Sequence, residues 1–270
     1  REGALDRLRQ GAGLLAEVVD AESGEPPNHG ANDGAWLLPL GASAYRDMRP
    51  TLTLAALELD VPLPGDLAPD PVMAAWMGGT VGRGPERSEG VVRGASGWAS
   101  VRRARVQAFF RAGHYTSRPS HLDALHLDVR MDGREVVVDP GTYAYNDPPP
   151  WRNPLVTARV HNGPVVDDRE PAVRGPRFLW YSWPEAHLLR AEARRDRSIL
   201  EAEIPGVVHR RVVITDDSLE VEDLLLAEGE HTLTARWTLA PGVSPEALAT
   251  EPVGEAVPAR EGSVEGWIST

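Results

Sequence analysis

The sequence predicts an α+β multidomain chain, helices packed on helices followed by an antiparallel β-sandwich. Three observations predict it. Apolar residues recur at helical spacing through the first sixty residues, and from about residue 101 the period becomes two. No helical pattern interrupts the later strand-like runs, which favours antiparallel sheets stacked face to face over an alternating α/β fold. Hydrophobic residues make up 41% of the 270, enough for one large domain or two modest ones with an ample core.

The elements follow in order. Residues 4–22 place Leu5, Leu8, Leu15 and Val19 on one helical face. After a loop rich in Gly, Pro and Asn, Asp33 is placed to cap a short apolar helix over 34–41. Pro50 suits the first turn of another helix, with Leu52, Ala55, Ala56 and Leu59 on one side. Residues 61–100 are dense in Pro and Gly and show no sustained period, although residues 73–79 suit a short helix. The expected division is therefore helices over 1–70, a connection over 71–100 and a sandwich over 101–270. Strands are expected within 105–113, 124–141, 209–226 and 231–242, with hairpin turns at Met131–Arg134 and Thr215–Ser218. In residues 124–129, Leu125, Leu127 and Val129 share one face, and Ala124, His126 and Asp128 share the other. Residues 263–270 read as a further strand.

Composition bounds the function. The net charge of −12 argues against nucleic acid as a partner, while leaving room for a local cleft that meets an anionic sugar. Every basic residue is Arg, which together with 26 Gly and 24 Pro reads as the imprint of a GC-rich genome rather than selection for guanidinium chemistry. The absence of cysteine removes disulfides, thiol catalysis and zinc–thiolate sites. No apolar stretch reaches the ~18 residues a membrane span needs. An Arg at position 1 and a strand-like tail predict a piece of a longer chain.

Chemistry-bearing residues are densest between 111 and 162, which hold four of the eight His and three of the five Tyr. His121 precedes a predicted strand and Asp139 ends the next, and a hairpin brings strand ends together. His161, after a proline-rich loop, could join them as a two-histidine, one-aspartate ligand set for zinc. The other reading is that His121 caps a strand and Asp139 opens a turn. Tyr143 and Tyr145 alternate with small residues, so both rings face one way, as a sugar platform or as an edge pair packing on residues 151–154. Asn28, His29 and Asn32 share one loop, where capping accounts for Asn32 and Asp33 and His29 reads as a surface residue. Nucleophile-elbow, metalloprotease and phosphate-loop motifs do not occur.

The run RPSHLDALHLDVRMDGREVVVDPGTYAYNDPPPWRNPL, with VHNGPVVDD after it, resembles the core segment of heparinase II/III-like polysaccharide lyases, closest to the bacterial branch found beside capsule or exopolysaccharide genes. GPRFLWYSW and HRRVVITDDSLEVEDLLL continue the resemblance in order, and EPPNHGANDGAWLLPL with YRDMRP resembles the last helices of the α/α toroid that precedes the sandwich. The resemblance implies the terminal helices of an α/α toroid, then a β-sandwich. It also implies a carbon–oxygen lyase that cleaves a uronic-acid-containing polysaccharide by β-elimination, acting in the periplasm or outside the cell. In that chemistry the sugar carboxylate is neutralised, a Tyr or His removes the C5 proton, and a Tyr protonates the leaving oxygen. The resemblance puts an Asn-His pair and a Tyr on toroid helices upstream of residue 1, so the isolated chain is expected to be inactive. Asn28 and His29 sit in a different motif and do not take that role. On this chain it implies His121, Tyr143 and Tyr145 as catalytic residues, and Arg118, Trp151 and Asn162 against the substrate. His121, Asp139 and His161 match the Zn2+ positions of metal-containing relatives, while Pro119 replaces the first residue of a His-x-His found in some of them. The alternatives are a non-catalytic carbohydrate-binding sandwich, or a glycoside hydrolase with Asp123 and Asp139 as its carboxylates.

Overall fold

The computed structural model describes residues 2–31, 40–113, 115, 117, 119–176 and 178–247. The helix expected over 34–41 with its Asp33 cap, the side chain of Arg118 and the strand expected over 263–270 lie outside the described residues. Helices come first and antiparallel strands after, as the change of period predicts. The chain divides into two compact units, one comprising Arg1–Pro27 and Gly34–Glu89, the other Asn28–Asp33 and Gly90–Thr270.

The helical unit holds α1 (Glu2–Val18), α2 (Arg49–Leu59) and α3 (Pro71–Met77). The α1 helix forms where expected, but Leu5 and Leu8 are 37% and 58% exposed, and its buried side chains are Ala16 and Val18. Pro50 sits in the first turn of α2, whose Leu52 and Ala56 join Ala16, Val19, Leu63, Leu67 and Val81 in a small core. Asp70 caps α3 by accepting the Met73 N–H at 2.6 Å, and Gly78 ends it in the left-handed region. Arg87 donates to the carbonyls of Ala16 and Val19 at the end of α1, at 2.9 and 2.6 Å, and pairs with Asp66 at 2.7 Å. One buried guanidinium thereby satisfies carbonyls that the helix end leaves without partners.

The second unit is a sandwich. One sheet runs in sequence order through β1 (Gly90–Arg93), β2 (Trp98–Arg103), β3 (Val106–Arg111), β4 (His126–Met131) and β5 (Arg134–Val137). Then come β6 (Pro164–Val166), β7 (Val173–Arg174) and β8 (Trp180–Tyr181), followed by the four strands of the second sheet. These are β9 (His187–Ala193), β10 (Ser198–Ile204), β11 (Val208–Ile214) and β12 (Leu219–Leu225), and β13 (Leu233–Ala235) pairs back onto β6. The core lies between the two large sheets. Val101, Val106, Ala108, Phe110, Leu127 and Val129 from the first meet Leu200, Ala202, Val208, Val212 and Ile214 from the second. Both predicted hairpins form. Asp132 and Gly133 link β4 to β5 with φ of +51° and +72°, the double positive φ of a two-residue primed turn.

The connection expected over 71–100 is a correction. That stretch carries α3, β1 and the start of β2, and the units divide between Glu89 and Gly90. The glycines that read as a linker form a hairpin turn, with Gly94 N–H donating to Trp98 O at 2.9 Å. Strands of four and six residues around such a turn are too short to show a sustained period.

Candidate functional site

The site is built on the face of the first sheet that points away from the core. In β3 and β4, Phe110 and Leu127 face inward, so their neighbours Arg111 and His126 face outward, directly opposite each other in the register. Phe109 and Asp128 form the next pair on that face. The loop carrying His161 and Asn162 closes against β4. Asn162 accepts the Leu127 N–H at 2.7 Å and donates to Leu127 O at 2.8 Å. A side chain at Gly163 would come within 2.3 Å of the Ala124 carbonyl, so glycine there lets the loop approach.

Arg111 is the centre of charge. It is 1% exposed and meets Asp123 at 2.8 Å, Asp128 at 3.0 Å and Asp139 at 2.9 Å. Burial alone would lower its pKa, but the carboxylates of Asp139, Asp128 and Asp123 outweigh burial and raise it. Burial would likewise raise Asp123, and Arg111 overcomes this to hold it at about 2. Asp139 is held well below the usual carboxylate range for the same reason, and Asp128 is lowered despite burial by His126 and Arg111. Three ionised carboxylates around one guanidinium leave a buried excess of negative charge. Tyr115 donates its hydroxyl to Asp123, and burial followed by that carboxylate pushes its pKa up, so it stays protonated.

Beside this cluster, His121, Asp139 and His161 come together, each buried, with one ligand atom from each within 4.8 Å of the others. The sequence-predicted trio is therefore one centre. Asp139 Oδ1 accepts the Gly141 N–H at 2.7 Å, and Oδ2 lies 3.1 Å from His161 Nδ1. Among the described residues, His121 Nδ1 and His161 Nε2 have no hydrogen-bond partner and are buried, which costs free energy unless something binds them. Burial first, then His161, lowers the His121 pKa to about 4, leaving its imidazole neutral at neutral pH. Two imidazoles, one carboxylate and surplus negative charge fit a divalent cation such as zinc.

The other expected residues lie on neighbouring surfaces. Thr142 Oγ1 is 3.5 Å from His121 Nε2, which sets the start of the Tyr143–Tyr145 segment beside the centre. Tyr143 is 57% exposed and packs edge-on against Trp151 with ring centroids 5.3 Å apart, while Tyr145 packs against Phe178 at 5.1 Å. Asn162 is fully buried, its amide engaged with Leu127. Asn28 donates to the Asp139 carbonyl at 3.1 Å. His29 is exposed, yet its ring meets Phe109 at 5.9 Å, and partial burial followed by Arg111 lowers its pKa. Sequence reasoning missed Arg111, Asp128 and His126 as members of the cluster. The alternation that placed His126 and Asp128 on one face carried the signal; the register with Arg111 did not show.

Comparison with known proteins gives the fold first. Solved structures of similar fold include heparan sulfate lyase HepC from Pedobacter heparinus, 15% identical with a TM-score of 0.55, covering 84% of this chain and 33% of that one. Heparinase III is another, 14% identical with a TM-score of 0.55, covering 88% of this chain and 37% of that one. At these identities the likeness is one of fold, and the chain spans about a third of the length of those structures. The particular family follows from the sequence: residues 87–269 match the family described as Heparinase II/III-like, C-terminal, and the chain belongs to it. No curated protein sequence matches the chain.

Proposed function

We propose that this chain is the sandwich-bearing part of a polysaccharide lyase that cleaves a uronic-acid-containing polymer by β-elimination, at or beyond the cell envelope. The observation that carries the reading is the His121–Asp139–His161 centre, set beside the aromatic Tyr143–Tyr145 segment in a sandwich of this family. In the reaction a base removes the C5 proton, the electrons form the C4–C5 double bond, and the C4 oxygen leaves with a proton from an acid; no water is consumed. Tyr143 and Tyr145 are assigned to proton transfer, Trp151 to stacking on a sugar face, and Arg118 to the sugar carboxylate. Of the two roles expected for His121, its 1% exposure favours metal binding.

His121, Asp139 and His161 would hold Zn2+. When bound, it supplies positive charge against the surplus carboxylates and ties together the loops that bear these residues. The hydrolase alternative loses support from the same cluster. A glycosidase needs one carboxyl with a raised pKa to protonate the leaving group, whereas Asp123 and Asp139 are both held low by Arg111. The test incubates a panel of anionic polysaccharides with a longer protein containing this sequence, and follows the ultraviolet absorbance of the unsaturated uronate product. Appearance of that product is expected from the longer protein, with little or none from the 270-residue chain alone. Release of saturated ends would overturn the reading in favour of hydrolysis.

A further inference from the structure

A concavity of about 590 Å³ lies among the loops that follow β5 and the β7–β8 hairpin. Its rim carries Tyr145, Arg152, Arg174, Phe178 and Trp180, and Ser120, the neighbour of His121, lines it as well. The chain as a whole is strongly acidic, at −12, yet the described residues lining this cleft include two arginines and no Asp or Glu. Among the described residues no carboxylate pairs with either arginine; both donate only to backbone carbonyls. Arg152 reaches Asp147 O at 3.3 Å, and Arg174 reaches Arg152 O and Asn153 O at 3.3 and 3.1 Å. These bonds leave further N–H donors on each guanidinium group. Arg174 also lies over the Trp180 ring at 5.8 Å.

Of the aromatic residues on the cleft, Trp180 is buried, Tyr145 half-buried and Phe178 exposed. Phe178 is 41% exposed and holds a φ of +63°, a left-handed backbone that aromatic residues rarely adopt. Phe178 takes it at the third position of the turn that the Leu179 N–H closes on the Pro176 carbonyl at 2.9 Å, and its ring stands edge-on to Tyr145. The exposed Phe178 ring and the half-buried Tyr145 ring beside two guanidinium groups, in a cleft large enough for one or two sugar rings, match the two faces of an acidic sugar: an apolar ring surface and an anionic substituent.

We propose that this cleft is a binding subsite for an acidic sugar residue, its carboxylate or sulfate held by Arg152 and Arg174 and its ring set against Phe178. The inference rests on the lyase reading only for the class of polymer, and adds where one of its units is held. The test is titration calorimetry on the 270-residue chain with a uronate tetrasaccharide, a sulfated carboxyl-free tetrasaccharide and an uncharged one. Each is repeated with Arg152→Ala and Arg174→Ala. At least tenfold weaker binding of a charged ligand in both variants is expected, with affinity falling as salt rises. Which charged ligand binds decides between carboxylate and sulfate. Because Arg174 also bonds backbone, thermal melting checks its fold, and Arg152→Glu supplies a second variant at an exposed position. Unchanged binding in folded Arg152→Ala and Arg152→Glu, equal binding of the uncharged sugar, or no binding of either charged ligand would overturn the subsite. None of these results bears on whether the longer protein forms unsaturated product, so the two readings fail separately.

Discussion

At the scale of single residues, Arg111 decides whether the polar face of the first sheet can exist. Three carboxylates within 3.0 Å of it are buried, and a buried ion pair that loses one partner typically costs about 3–5 kcal/mol. Arg111→Gln is therefore expected to destabilise the fold by at least that much, read as a lower denaturant midpoint. A metal at His121, Asp139 and His161 makes a different prediction. Zinc should co-purify in about equimolar amount and a chelator should lower the melting temperature, while His161→Ala should abolish both effects; a chelator-insensitive melt with no bound metal would count against zinc. On the surface, His231 Nδ1 lies 2.9 Å from Asp167, and that hydrogen bond first, then the Glu228 carbonyl, raises its pKa. A raised histidine pKa means that the pair's contribution is complete below about 6.5, the unfolded value, and fades as pH rises through the folded value. A proton NMR titration should place His231 above 6.5, and Asp167→Asn should bring it down.

At the scale of elements, turns and periods were legible where local chemistry alone determines them. The turn through Asp132 and Gly133 was readable because an Asp-Gly pair suits positive φ at both positions. Gly133→Ala should cost about 1–2 kcal/mol, the price of placing a Cβ in the left-handed region. The inward set Leu125, Leu127 and Val129 was readable because alternation is a local property. Leu5 and Leu8 show the limit of the same logic, since helical spacing records which residues share a face but not what that face meets. The strands β9 and β10 were missed because Arg190, Glu192, Glu201 and Glu203 stand among their apolar residues, with Arg190 pairing to Glu192 and Glu201. Arg210 was equally invisible. It points inward from β11, fully buried, and binds Asp223 through two bonds of 2.7 Å. It also donates to the carbonyls of Leu125 and Asn162 at 2.8 and 2.6 Å. It thus ties the second sheet to both the approach to β4 and the loop after His161. Arg210→Met, similar in bulk, should destabilise by about 3–5 kcal/mol, because it leaves a carboxylate and two carbonyls without their donor.

At the scale of the whole molecule, the trio of His121, Asp139 and His161 was readable because one hairpin and one loop bring it together. The surrounding charge was not, because it depends on which residue of β3 stands opposite which residue of β4. The short segment beginning at Asn28 belongs to the sandwich although the chain on both sides of it belongs to the helical unit. Asn28 donates to the backbone carbonyl of Asp139, the carboxylate member of the candidate metal centre. The sandwich is therefore discontinuous in the sequence, and a crossover placed between Asp33 and Gly90 would separate its two pieces. A sandwich excised at Gly90 should melt at a lower temperature than the same unit in the full chain, with amide exchange around Asp139 accelerated first. Adding a synthetic peptide spanning residues 26–31 should slow that exchange again. Recombination in this family is thus expected to preserve the pairing of a few residues upstream with the long run downstream, an inheritance constraint that a linear domain map does not display.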